Sequence, residues 1–129
     1  MTVIENEQLI YIDCDDTLVM WGSDNEDHQY VNIVDPYDGK NVRLRAHVGH
    51  IKVLKDRKAR GAYITVWSAS GYKWAKAIVE ALCLQDYVDV VSSKPFMYID
   101  DLQANDILGE RLYLGKDSKY GTTNLKETK

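Results

Sequence analysis

The chain is 129 residues long, a length that suits one domain around a single hydrophobic core. Its 45% hydrophobic and 28% charged residues are ordinary for a globular protein, and a net charge of −4 gives no general attraction to nucleic-acid phosphates. No apolar stretch approaches the length of a membrane span, and two cysteines, Cys14 and Cys83, without a secretory leader predict a reduced, cytoplasmic setting rather than a disulfide scaffold. Residues 1–8 are polar and acidic, unlike a signal or transit peptide.

Leu9-Ile10-Tyr11-Ile12 runs straight into Asp13-Cys14-Asp15-Asp16-Thr17. A bounded apolar run of this kind is a buried strand. Unpaired charges do not stay in a core, so the acidic cluster must emerge at the strand's carboxyl end, where open α/β sheets build their sites. Residues 30–34 and 42–45 flank a turn rich in Asp, Pro and Gly, the pattern of a β-hairpin. Residues 22–46 are therefore expected to form a small flap. Its second strand alternates Val42, Leu44 and Ala46 with Arg43, Arg45 and His47, which predicts one apolar and one basic face.

Residues 48–60 read as a helix with Lys and Arg in its last turn and Gly61 as its stop. Residues 62–67 form a second buried strand, ending at Ser68-Ala69-Ser70-Gly71. A helix over 72–84 carries Trp74, Ile78 and Leu82 in one stripe. Residues 87–91 predict a third strand ending near Lys94, residues 96–99 a fourth ending at Asp100-Asp101, and residues 111–115 a fifth. The polar tail, 116–129, is expected to fray.

Strands alternating with helices predict an α/β fold with a Rossmann-like, mostly parallel sheet, helices on both faces and the hairpin flap after the first strand. Parallel strands would place Asp13 and Asp15, Ser68, Lys94, and Asp100 and Asp101 along one edge. Carboxylates grouped there repel unless a cation sits between them, and a hard, oxygen-loving ion such as Mg²⁺ fits that need. A lysine and a hydroxyl beside it suit a phosphoryl group. A second Asp two residues beyond the first can carry a proton to a leaving oxygen.

The chain resembles the haloacid dehalogenase superfamily, most of whose members are Mg²⁺-dependent phosphohydrolases. The first family motif, a strand followed by Asp-x-Asp-x-Thr, is matched by Asp13 to Thr17, and the second, a strand ending in Ser or Thr, by Ser68. Lys94 matches the third, and Tyr98-Ile99-Asp100-Asp101 the fourth. The resemblance covers residues 9–115. It implies Asp13 as nucleophile, Asp15 as general acid and then base, and Thr17 as support for the loop. Ser68 and the Ala69 N–H would hold the phosphoryl group, which Lys94 would neutralise. Mg²⁺ would be bound by Asp13, the Asp15 carbonyl and Asp100, with Asp101 nearby. A small phosphorylated molecule such as a nucleotide is the implied substrate, and a nucleic-acid end the less favoured alternative.

Two departures stand out. Only five residues separate Lys94 from Asp100, where many family members place a helix, and the flap is too small to be a substantial cap. Asp16 reads as a loop residue rather than a ligand, Cys14 as packing, and Trp67, Tyr72 and Trp74 as core or pocket wall. His47 and His50 have metal-compatible spacing but no third ligand nearby, which disfavours zinc. Arg43, Arg45, Lys52, Lys55, Arg57, Lys58 and Arg60 are read as a solvated basic face in preference to a guide for phosphate-rich substrates. A receiver-type phosphoacceptor would put its acidic pair at the first strand and its accepting Asp on a central strand downstream, whereas here the acidic pairs end the first and fourth strands and the second ends in Ser68; an inactive phosphate-binding protein would have no need to fill every catalytic position.

Overall fold

The computed structural model describes residues 8–22 and 29–116. Residues 1–7, the 23–28 portion of the expected flap and the tail from 117 onward lie outside the described residues. The elements in chain order are β1 (Leu9–Asp13), β2 (Val19–Met20), β3 (Tyr30–Val34), β4 (Asn41–Ala46), α1 (Val48–Ala59), β5 (Tyr63–Ser68), α2 (Tyr72–Ala81), a 3-10 turn at Gln85–Tyr87, β6 (Val90–Ser93) and α3 (Ala104–Ile107). The fold is α/β, with a parallel sheet ordered β1-β5-β6 and a separate antiparallel sheet ordered β2-β4-β3. No described helix is long and apolar enough to cross a membrane.

β5 is central because its residues tolerate burial. Ile64, Thr65 and Val66 are all enclosed, the near-continuous β-branched run expected of a strand covered on both faces. β1 is an edge strand, and Leu9 and Tyr11 remain more than half exposed. Asp13 lies across from Trp67, and Ser68 across from Ser93, so the three strands end side by side. Leu54, Ile64, Val66, Trp74, Ile78 and Leu84 form the centre of the core. Cys14 joins them with no exposed surface, as its strand parity predicts.

Both long helices are fixed at their ends by specific contacts. His47 caps α1, its Nδ1 accepting the His50 backbone N–H at 3.0 Å. Arg57 and Lys58 occupy the last turn, where positive charge suits the helix dipole. The first N–H of α2, on Tyr72, donates to Ser93 Oγ of β6 at 2.7 Å, which ties that helix to the sheet edge. Asp89 links three elements, pairing with Lys58 of α1 at 2.8 Å and accepting the Ile64 N–H of β5 at 2.8 Å. Burial pushes its carboxyl upward, but the Ile64 and Lys58 contacts outweigh that and hold it below the usual range.

The hairpin forms as expected, with Tyr30 across from Arg45 and Val34 across from Asn41. Its turn closes with the Asp35 N–H donating to Lys40 O at 2.8 Å, and Gly39 supplies a left-handed φ of 75°. β2 adds a third strand through the pair Val19–Ala46, anchoring the flap to the loop after β1.

Several expectations are corrected. α2 stops at Ala81, where Leu82 and a left-handed Cys83 (φ 57°) end the helix, and the third strand begins at Val90 after the 3-10 turn. Residues 96–99 form no strand, and Phe96 and Ile99 are 99% and 94% exposed. The cause is connection length. Lys94 is held at the end of β6, its N–H donating to Ser68 O at 2.9 Å, and a parallel return needs a crossover of about a dozen residues, not one proline. Residues 111–115 also form no strand, and α3 follows Asp101 instead.

The basic face of β4 is solvated only at Arg43. Arg45 and His47 are buried because the 115–116 backbone covers them: Arg45 Nη2 donates to Lys116 O at 2.7 Å, and His47 Nε2 donates to Gly115 O at 2.7 Å. Other basic residues are occupied locally. The Arg43 guanidinium lies over Tyr30, Lys55 over Tyr87, and Arg60 pairs with Asp56. These contacts favour a structural account of the basic stretch.

Candidate active site

The loop after β1 is a tight knot around one carbonyl. The N–H groups of Thr17, Leu18 and Val19 all donate to Cys14 O, at 3.2, 2.9 and 3.1 Å. Asp16 takes a left-handed φ of 61°, its N–H donating to Val19 O and its carboxylate accepting the Trp21 N–H. Asp16 thus shapes the loop. With Cys14 turned into the core, Asp13 and Asp15 both stay half-buried at the surface. Burial first, and then the Asp15 and Asp13 charges, push the Cys14 thiol up to about 12, against a smaller lowering by Lys94. That thiol is no nucleophile.

Lys94 reaches from the end of β6 to Asp13, Nζ to Oδ1 at 3.2 Å. Thr17 Oγ1 lies 3.4 Å from the other Asp13 oxygen, long for a hydroxyl hydrogen bond. Ser68 is fully buried. Its Oγ accepts the Ser70 N–H at 3.0 Å, and its carbonyl accepts the N–H groups of Gly71 and Lys94. Ser68 therefore builds the turn and places Lys94, while the adjacent Ala69 is exposed.

Asp15 carries contacts that apolar patterning does not reveal. Trp21 Nε1 donates to Oδ1 at 2.8 Å, and Trp74 Nε1 donates to both oxygens at 3.1 and 3.2 Å. The two indoles stack with centroids 6.4 Å apart. The only sequence signal was the identity of Trp itself, whose N–H seeks a partner when the ring is buried.

Behind the loop, two histidines form a clasp. The His47 and His50 rings stack at 3.9 Å. The Leu114 N–H donates to His50 Nε2 at 3.0 Å, so the proton of neutral His50 sits on Nδ1 and is donated to Thr17 O at 2.8 Å. His47 has the opposite tautomer, because its Nδ1 accepts the His50 N–H. Both rings are committed to backbone groups.

A groove of about 1160 Å³ follows β1 past Asp13, Asp15 and Thr17 and is closed by residues 107–113. Asp13, Asp15, Ser68, Ala69 and Lys94 thus come from adjoining strand ends and their loops. Asp100 and Asp101 do not join them. They are exposed, and the Asp100 carboxylate accepts the Leu102 N–H at 2.9 Å. Among the described residues no three His, Cys, Asp or Glu side chains stand close enough to hold one metal ion. The donor set as folded therefore does not fit a Mg²⁺ centre built from all four aspartates.

Comparison with known protein families, curated proteins and solved structures finds no match for the chain.

Proposed function

We propose that the chain is a small hydrolase of the haloacid dehalogenase type, with a Rossmann-like sheet and a minimal flap, that cleaves a phosphate monoester through an aspartyl-phosphate on Asp13. The 3.2 Å pair between Lys94 Nζ and Asp13 Oδ1 carries this reading. It joins the ends of two strands that β5 holds apart, and it places a cation on the carboxylate where a phosphoryl group would need both a nucleophile and positive charge.

Asp13 Oδ2 is the freer oxygen, since its contact with Thr17 is long. It attacks phosphorus as the ester P–O bond breaks, and the leaving oxygen takes a proton from Asp15. The three indole contacts use both acceptor sites of Asp15 Oδ1 and one of Oδ2, so Oδ2 keeps the free site that carries this proton. Water then attacks the aspartyl-phosphate and gives a proton to Asp15. Inorganic phosphate leaves, and the Asp13 carboxylate is restored. Lys94 stays beside the developing charge, and by the sequence resemblance the Ala69 N–H, on the turn after β5, would help to hold the phosphoryl group.

Mg²⁺ belongs to this proposal through the sequence resemblance alone, and each step above uses only groups of the chain. A small phosphorylated metabolite of the cytoplasm is the proposed substrate. The test is hydrolysis of a generic aryl phosphate with and without Mg²⁺, comparing the native chain with Asp13→Asn. The expected result is turnover that falls to background in the variant, and the arm with Mg²⁺ reads what the ion adds to the groups of the chain. Turnover that survives in Asp13→Asn would overturn the mechanism.

A further inference from the structure

A second cavity, of about 230 Å³, also borders Asp15 and is lined by Asp15, Trp21, Asp35, Tyr37, Ser70 and Trp74. Asp15 is common to this cavity and to the groove that holds Asp13. In the proposed reaction the leaving oxygen sits at Asp15, so the second cavity adjoins whatever that oxygen carries.

The walls of this cavity are aromatic. Trp21 is 46% exposed and Tyr37 58% exposed, so each leaves ring surface uncovered. Both are held in place. The Trp21 indole is tied to Asp15, and Tyr37, at the turn of the flap, donates its hydroxyl to Ser70 O at 2.9 Å while its N–H donates to Asp35 Oδ1 at 2.8 Å. Gly71 makes room for this contact, since a Cβ there would overlap the Tyr37 hydroxyl. The volume is below the roughly 300 Å³ at which pockets for whole drug-sized ligands begin. It suits one flat ring system, with the rest of the ligand lying toward Asp13.

We infer that this cavity takes the base of a nucleoside, and that the substrate is a nucleoside monophosphate whose base packs against Trp21 and Tyr37. The inference rests on the phosphohydrolase reading for its direction, from Asp13 across Asp15 to the base. Charge selects the class further. Asp35 puts a carboxylate on the cavity wall, so a leaving group bearing more phosphates meets repulsion there. Three cations of the basic stretch have partners of their own, Lys58 and Arg60 in ion pairs with Asp89 and Asp56 and Arg43 over Tyr30, which lessens the pull on a polyanionic strand. These charges favour a mononucleotide over a nucleic-acid end.

Two measurements test this. The first is quenching of tryptophan fluorescence by adenosine, which has no phosphate and reports the base cavity alone. The second is kcat/KM for adenosine monophosphate, ribose phosphate and a 3′- or 5′-phosphorylated oligonucleotide, in the native chain and in Tyr37→Ala. Adenosine is expected to quench, and adenosine monophosphate to exceed ribose phosphate at least about fivefold, the lower end of what stacking one base on an aromatic ring contributes. In Tyr37→Ala that ratio is expected to fall toward one and adenosine binding to weaken by a similar factor. Hydrolysis of ribose phosphate with no base preference and no quenching would overturn the inference and leave the hydrolase standing. Quenching without turnover of any ester would support the base cavity and sink the hydrolase reading. An oligonucleotide end preferred over the mononucleotide would overturn the choice of class.

Discussion

The histidine clasp makes the fold acid-sensitive in a defined pH window. Burial, reinforced by the neighbouring His47 and only partly opposed by the bond to Thr17, pulls His50 from its ordinary 6.5 down to about 4. His47 moves the same way, with burial as the main cause. The tautomers explain why protonation is resisted. A proton on His50 Nε2 removes the acceptor of the Leu114 N–H and places a cation 3.9 Å from a second imidazole. Because the folded chain takes up this proton less readily than the unfolded one, stability is complete above about pH 6.5 and falls as pH drops toward 4. A shift from 6.5 to about 4 in a residue only 5% exposed corresponds to a loss of about 3 kcal/mol from His50, with His47 adding to it. Urea unfolding at a series of pH values between 7.5 and 4 measures it directly. His50→Gln, whose amide can still donate and accept, should cost about 1–2 kcal/mol at neutral pH and flatten the slope through the window. A native chain equally stable at pH 7 and pH 4.5, or a variant with an unchanged slope, would refute the clasp as its source. Asp89 acts in the same direction only at the acid end of this window, because its folded carboxyl lies below its usual value and the unfolded chain takes up that proton first.

Two further outcomes follow from burial. In native protein a thiol reagent should label Cys83, which is exposed, and leave Cys14 unreacted until the chain is unfolded; labelling of both at one rate would contradict the packing of the first loop. Arg45 is buried, and among the described residues its Nε and Nη1 have no hydrogen-bond partner, a condition that normally costs stability. Arg45→Met should therefore leave the denaturation midpoint unchanged or raise stability by about 1 kcal/mol, and a loss above about 2 kcal/mol would show that the single bond to Lys116 O outweighs the two unmet donors.

Much of the sheet was legible because local patterns determine it. The run before Asp13 and the β-branched run before Ser68 are strands in register, and the Asp/Pro/Gly turn between residues 34 and 41 closes the hairpin. The Asp13–Lys94 meeting was legible too, since parallel strands align their carboxyl ends. Residues 96–99 misled for a physical reason: their apolar character reports a preference for burial, but the single proline after Lys94 gives the chain no path back into the sheet. Residues 111–115 misled differently, because the Leu114 N–H and the Gly115 carbonyl are satisfied by imidazoles and not by a neighbouring strand. Alternation in β4 placed Arg45 and His47 on one side correctly but carried no information about what would cover that side. The indole bonds to Asp15 were hidden because a hydropathy pattern counts tryptophan as apolar and discards its donor.

The position of β1 at the margin of its sheet has a consequence for local opening. Tyr63 N–H donates to Gln8 O at 2.8 Å, so by alternation Ile10 and Ile12 also turn their backbone groups toward β5, while Leu9, Tyr11 and Asp13 turn theirs outward, where no further strand lies among the described residues. The proposed nucleophile therefore rides on the strand held from one side only, the part of a sheet that separates first in sub-global fluctuations. Lys94 counters this by spanning the sheet to hold Asp13 from β6. An anion lodged between those two side chains would extend that hold, coupling occupancy of the site to cohesion of the sheet.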